Sequence, residues 1–175
     1  MTQIGLALLG VFVGAVLNAL ADDLPNRATL HQPHCPACGQ THHPLQWIAI
    51  IAFIGGRGRC AYCGAPLPVR RLLVEIVSAL MLVFLFQKFG VTLKFGLLAV
   101  LLESLLLITV IDFEHRLILY VTIFPTAGAA LLYALFGGEQ ELLPALTKSL
   151  LGGLTGFAIF YLLYLFSFGF ARLVE

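Results

Sequence analysis

Leu97-Leu98-Ala99-Val100-Leu101-Leu102-Glu103-Ser104-Leu105-Leu106-Leu107-Ile108-Thr109-Val110-Ile111 is followed at once by Asp112-Phe113-Glu114-His115-Arg116. That contrast decides the fold class. With Leu93-Lys94-Phe95-Gly96 in front of it, the apolar part covers Leu93–Ile111, close to the ~20 residues that a helix needs to cross a hydrocarbon core about 30 Å thick. It stops on a cluster of ionisable residues, as a span stops where water begins. Working outward with the same ruler gives Leu72–Phe86 and Ile4–Leu20 before it, and Leu117–Phe136 and Leu146–Phe170 after it. The sequence therefore predicts an all-α integral membrane protein of about five transmembrane helices.

Composition agrees. Of 175 residues, 60% are apolar and 11% charged, against roughly 45–50% and about 25% in water-soluble domains, and the mean hydropathy is +0.99. One soluble core cannot hide that much apolar surface, so a soluble enzyme is excluded. The formal net charge of +1 creates no field that would draw the chain to nucleic acid, and no nucleic-acid partner is expected. Ile4–Leu20 reads as a first span and not as a secretory signal. It lacks a basic lead-in and runs into Asp22-Asp23-Leu24-Pro25 where a small-residue cleavage site would stand.

Residues 22–71 are the only long polar stretch, holding five of the ten basic residues, six of the eight prolines and all four cysteines. The chain thus divides into a first helix at 1–21, a loop domain at 22–71 and four helices over 72–175. The cysteines read Cys35-Pro36-Ala37-Cys38-Gly39 and Cys60-Ala61-Tyr62-Cys63-Gly64. Two residues between thiolates let one tight turn present both sulfurs to one ion, and the trailing glycine allows the positive φ that closes the turn. Cys35, Cys38, Cys60 and Cys63 are expected to bind zinc at a structural site, because four thiolates leave no position open for water. Two disulfides suit a cytoplasmic loop poorly, and a redox pair would not require a matched second copy. His31, His34, His42 and His43 crowd the first knuckle and read as exposed or supporting groups, with replacement of one cysteine ligand as the alternative.

The run Leu45–Ile54 is too short to span. It is expected inside the loop domain or in the membrane interface, with Trp47 as an anchor. Lysine and arginine set the orientation. With 22–71 in the cytoplasm, Arg116 and Arg172 join it there, and only Lys88, Lys94 and Lys148 face outward, which is the positive-inside arrangement.

Ionisable groups inside spans are costly and mark function by default. Asp112 stands at the cytoplasmic boundary, either as a catalytic carboxylate that water reaches or as a helix-end charge paired with His115 or Arg116. Glu75 lies one turn into the second span, where an ion pair with Arg70-Arg71 is the structural alternative to chemistry. Glu103 is near mid-span, about 13 Å from Asp112 along the axis and on nearly the opposite face, so the two are not a dyad. An aspartyl hydrolase needs two carboxylates that share a proton, and Asp112 is the only aspartate after Asp23.

Together these residues resemble the bacterial prepilin peptidases, or type IV leader peptidases, which are membrane aspartyl proteases and N-methyltransferases. Gly14-Ala15-Val16-Leu17-Asn18 with Leu24-Pro25 is similar to the family's G-S-F-L-N…R-L-P opening, and the paired C-x-x-C knuckles match it closely. Gly56-Arg57-Gly58-Arg59-Cys60 resembles the stretch before the second knuckle, and Pro68-Val69-Arg70-Arg71-Leu72-Leu73-Val74-Glu75 resembles R-Y-P-x-V-E. The resemblance implies cleavage of the leader from type IV pilin or secretion pseudopilin precursors at the cytoplasmic face of the bacterial inner membrane. It further implies N-methylation of the new terminus with S-adenosylmethionine. Asp112 falls on the first catalytic aspartate, and the loop domain would serve methyl transfer, with Asn18 and Glu75 as candidates there.

Two departures matter. Leu119-Tyr120 stands where the family has Pro-Asp, and the G-x-G-D motif of the second catalytic aspartate, expected after the helix ending near Phe170, is not reached by Glu175. Gly169-Phe170-Ala171-Arg172 has arginine in place of the acid. The third and fifth helices both descend to the cytoplasm, so a motif beyond Glu175 would begin on the face that holds Asp112. The expectation is therefore a family member that this chain covers over roughly its first two-thirds. The alternatives are a non-catalytic structural subunit, with other membrane subunits as partners, and a protein that only methylates.

Overall fold

The computed structural model describes residues 2–26, 32–35, 37–41, 46–56, 58–117, 119–136 and 142–174. These form α1 (Thr2–Asp23) with a short 3-10 turn (Leu24–Asn26), then α2 (Ala49–Gly56), α3 (Val69–Phe89), α4 (Leu93–His115), α5 (Tyr120–Phe136) and α6 (Leu142–Val174). Among the described residues there is no strand, only two isolated bridges, His34 with Thr41 and Arg59 with Pro66. The protein is an all-α integral membrane protein. Among the described residues four stretches are long and apolar enough to cross a membrane: Thr2–Asp23, Val69–Phe89, Leu93–His115 and Thr147–Phe166. The fifth expected span corresponds to the shorter apolar helix Tyr120–Phe136. Two compact units are present, Met1–Ala130 and Leu131–Glu175.

Within the first unit, α1 is laid against α3 so closely that only glycine fits at two of its turns. A Cβ at Gly10 would stand 2.4 Å from Ala79 Cα, and one at Gly14 would stand 2.6 Å from Glu75 Cα. Lipid tails are as apolar as leucine, so helices in a bilayer gain little by hiding leucine from lipid. They associate where small residues let backbones meet. Gly10, Gly14, Leu17, Asn18 and Ala21 form the buried stripe of α1, at the i, i+4, i+7, i+8, i+11 spacing of one helix face. By contrast, Gly152, Gly153 and Gly156 of α6 have open space where a Cβ would go.

The pair α3 and α4 is joined by three residues, Gly90 to Thr92. Gly90 takes φ 61° and its N–H caps Phe86 O, while Thr92 accepts the N–H of Phe95 at 3.2 Å. So tight a connection makes the two helices antiparallel neighbours. The core lies where α1, α3 and α4 converge, with Leu17, Ala21, Val74, Leu107, Val110 and Ile111 buried together. Large apolar side chains on the outer faces are exposed, Leu8, Phe12, Leu80 and Phe84 among them, as a hydrocarbon solvent permits and water does not. Inside α5, Pro125 interrupts the backbone ladder, and Thr122 and Thr126 turn their hydroxyls to the carbonyls of Leu119 and Thr122 at 2.8 Å and 2.7 Å.

Candidate functional site

The loop between α1 and α3 carries the same device twice, 25 residues apart. In the first knuckle Cys35 N–H donates to Gln40 O at 2.9 Å and Gly39 N–H to Cys35 O at 2.8 Å; in the second Cys60 N–H donates to Ala65 O at 2.9 Å and Gly64 N–H to Cys60 O at 3.0 Å. Gly39 and Gly64 have φ of 70° and 71°, and a Cβ on either would meet nothing. Backbone conformation, and not space, is therefore what requires glycine there. The turns bring Cys35, Cys38, Cys60 and Cys63 together with all their sulfurs within 4.8 Å of one another, and Cys35 Sγ lies 3.8 Å from Cys63 Sγ. A tetrahedron of thiolates about 2.3 Å from a central ion has edges of about 3.8 Å. The four cysteines are thus placed to hold a metal ion. Cys35 and Cys60 are buried, Cys38 and Cys63 exposed.

Electrostatics suit a cation at the centre. Backbone N–H groups of Cys63 and Tyr62 pull the Cys60 thiol down to about 7. The N–H of Ala65 favours the thiolate of Cys63 too, but burial and the thiols of Cys38, Cys60 and Cys35 prevail and push Cys63 up to about 11. Four sulfurs this close resist shared ionisation until a positive ion compensates them. His34 is exposed, its Nδ1 3.4 Å from Gln32 O, and stands outside the four-sulfur cluster; His31, His42 and His43 lie outside the described residues.

A second concentration of polar groups gathers the ends of α1, α3 and α4. Asp22, at the end of α1, accepts from the guanidinium of Arg70 and, at 2.7 Å, from that of Arg71. Arg70 also reaches Glu114 at 2.8 Å, and His115 Nε2 lies 3.8 Å from the same carboxylate. Asn18 donates to Arg71 O at 2.9 Å. Both arginines expected to pair with Glu75 thus bond Asp22. Glu75, with no exposed surface, instead accepts the N–H of Ala49 at 2.6 Å and of Ile50 at 2.9 Å, satisfying the first turn of α2 from a neighbouring helix. Mid-span, Ser78 Oγ lies 2.8 Å from Gly10 O and 2.9 Å from Glu103 Oε1, which ties α1, α3 and α4 together through one hydroxyl.

Asp112 occupies the last turn of α4 with its side chain exposed. Neither His115 nor Arg116 pairs with it; Arg116 takes φ 52° and caps the helix through its backbone N–H to Asp112 O at 2.9 Å. Among the described residues the Asp112 carboxylate forms no hydrogen bond or ion pair, while Asp22 and Glu114 at the same end of the bundle are held by arginines. A groove of about 330 Å³ runs between α3 and α4, apolar along Leu73, Val77, Leu106 and Phe113, with Arg70 and Glu114 in its lining.

Sequence reading missed the role of Asp22, the capping by Glu75, and the Gly10 and Gly14 contacts. The last was signalled by four-residue spacing of glycines in an apolar helix. Asp22, just after one span, and Arg70-Arg71, just before the next, were the signal for the ion pairs.

Fold and site define a multi-pass helical membrane protein with a four-cysteine metal-ready loop between α1 and α3 and a charged cluster of helix ends. Residues 8–89 match the family model of the bacterial peptidase A24 N-terminal domain. The chain is 28% identical over 180 residues to the prepilin leader peptidase/N-methyltransferase of Pseudomonas aeruginosa, covering 89% of this chain and 62% of that protein. It is 31% identical over 162 residues to the protein of that name from Myxococcus xanthus, covering 89% and 46%, and 30% identical over 145 residues to that from Aeromonas hydrophila, covering 82% and 48%. The chain is thus similar to the bacterial prepilin leader peptidase/N-methyltransferases and spans about half to three-fifths of their length. No solved structure matches it.

Proposed function

We propose that this chain acts as a prepilin leader peptidase of the aspartyl type, cutting pilin or pseudopilin precursors where they emerge from the bilayer, with N-methylation of the new terminus as a second activity. What carries the reading is the alignment of 89% of the chain with proteins named for both activities. Asp112 is assigned as one of the two carboxylates of the hydrolase. Its exposure and freedom from ion pairs leave it able to act as base on water, and its place at a span end lets water arrive. Peptide cleavage requires a second carboxylate brought to the same face, since Asp22 and Glu114 are neutralised where they stand.

The four thiolates would hold zinc in a closed structural site, which would fold the loop and take no part in bond breaking. S-adenosylmethionine is the methyl donor that this reading calls for. Both oxygens of Glu75 accept backbone N–H groups and the amide of Asn18 holds Arg71 O, so these two residues are assigned to positioning the loop and the helix ends for that step and not to gripping a cofactor. In this reading the loop faces the cytoplasm, which its excess of basic residues supports, and the helices lie in the inner membrane. Service to type IV pili or to type II secretion follows from the class of substrate.

The test is Asp112→Asn in the full-length protein, incubated in membranes with a precursor and read by the shift to the mature form on a gel. Cleavage should fall by about 10²-fold or more, with metal content and thermal stability unchanged. Equal rates in variant and wild type would overturn the assignment of Asp112. No cleavage by wild type, with other membrane subunits co-purifying, would replace the enzyme by a structural subunit.

A further inference from the structure

Helix α2 has an outer face of exposed apolar side chains among the described residues. Ala49 and Ala52 are 3% exposed, whereas Ile51 and Ile54 on the other side are 43% and 81% exposed, and Trp47, one turn earlier, is 42% exposed. A soluble loop would hold such a face away from water. The position of its first turn explains why this one does not.

Glu75, which accepts the N–H groups of Ala49 and Ile50, lies four residues beyond Arg71, about 6 Å further along the axis of α3. Arg70 and Arg71 with Asp22 and Glu114 mark the polar level, so α2 starts on the apolar side of it. At that depth water does not reach orphan backbone N–H groups, and protein must satisfy them. A carboxylate with no exposed surface, accepting two consecutive N–H groups, does this. The far end of α2 is fixed to the metal-ready loop. Phe53 packs so closely on Gly58 that a Cβ there would stand 2.8 Å from its ring, Gly58 N–H donates to Ala52 O at 3.2 Å and Gly58 O accepts from Leu67 at 2.7 Å. Cys60 follows two residues later.

We propose that α2 lies in the lipid leaflet at the Asp112 end of the bundle, with Trp47, Ile51 and Ile54 at the boundary between headgroups and acyl chains. Glu75 is the positioning residue that latches it there, so that the four-cysteine loop rides on the membrane surface beside Asp112. Lipid is the occupant because Glu75, which holds the first turn of α2, lies within Val69–Phe89, a stretch long and apolar enough to cross a membrane, so the outward face of α2 meets the solvent that surrounds that stretch. The inference does not depend on the peptidase reading.

Trp47 is the only tryptophan in the chain, which makes the test direct. The full protein is reconstituted into phosphatidylcholine vesicles brominated either near the headgroup or near the bilayer centre, and a Trp47→Phe/Ile54→Trp variant reports from α2 itself. Both tryptophans should emit to the blue and be quenched more by shallow than by deep bromines. Quenching by aqueous acrylamide without quenching by brominated lipid would overturn the proposal by placing the face in water. Silence toward both quenchers would overturn it by showing protein on the face. Glu75→Ala should lower lipid quenching of Trp47 by about two-fold and raise acrylamide access, because the N–H groups of Ala49 and Ile50 lose the acceptor that Glu75 supplies. Glu75→Gln, which keeps one acceptor oxygen, should fall between. Unchanged depth in Glu75→Ala would remove Glu75 from the latch, and the wild-type and Ile54→Trp readings decide the lipid contact even where a Glu75 variant fails to fold.

Discussion

Gly10→Ala tests the contact on which the first unit is built. The added methyl would stand 2.4 Å from Ala79 Cα, 2.9 Å from Ala79 N and 3.0 Å from Ser78 O, all backbone atoms, where ordinary contact begins at 3.4 Å. No side chain can swing aside, so α1 and α3 must separate by about 1 Å. Such overpacking costs about 1–3 kcal/mol. The same movement stretches the 2.8 Å contact of Ser78 Oγ with Gly10 O past hydrogen-bonding distance, for about 1 kcal/mol more. The expected loss is about 2–4 kcal/mol, or about 30-fold to several hundred-fold in the folded population. Gly5→Ala is the internal control, since it makes the same chemical change in the same helix with nothing within 4 Å, and any gain in helix propensity is common to both. Reversible unfolding of the detergent-solubilised protein by a denaturing surfactant, followed by circular dichroism, gives the comparison. Equal stability of the two variants would refute the argument that α1 and α3 meet backbone to backbone.

Other outcomes follow from the same geometry. Ser78→Ala should cost about 0.6–1.7 kcal/mol, and combined with Gly10→Ala it should cost less than the sum, because both act on one contact; additive losses in a double-mutant cycle would count against a shared contact. Cys60→Ser should abolish tight zinc binding, read by metal analysis of purified protein, while leaving the helical signal of the membrane helices in place; retained stoichiometric zinc would exclude Cys60 as a ligand. Metal affinity should fall as the pH drops through about 7, because Cys60 is a thiolate above its value of about 7 and a thiol below it, and protons then compete with the ion. A chelator-competition profile that is flat from about pH 8 to about pH 5 would refute that dependence.

Much of this was open to a reader of the sequence. The spans are legible because hydrocarbon thickness imposes a length on apolar runs, and that constraint is local to each run. The knuckles are legible for a similar reason: Cys-x-x-Cys-Gly encodes its own turn, and the repeat of the pattern in a chain with no other cysteine leaves few partners to choose among. Asp112 stood out because an acid at the end of a long apolar run is conspicuous wherever the rest of the chain goes.

The pairings were not legible. Arg70 and Arg71 precede Glu75 by about one turn, and the local reading makes an ion pair of them. In the folded protein Asp22, nearly fifty residues earlier in the sequence, takes both arginines, which frees Glu75 to cap a helix that the local pattern left undecided between the loop and the interface. Sequence by itself determined the membrane class, the helices and the metal-ready loop, each a property of a short segment meeting water, lipid or its own backbone. Only the tertiary structure decided which charge answers which, because that depends on how closely α1 settles onto α3, and the closeness is set by two missing side chains at Gly10 and Gly14 meeting backbone from another part of the chain.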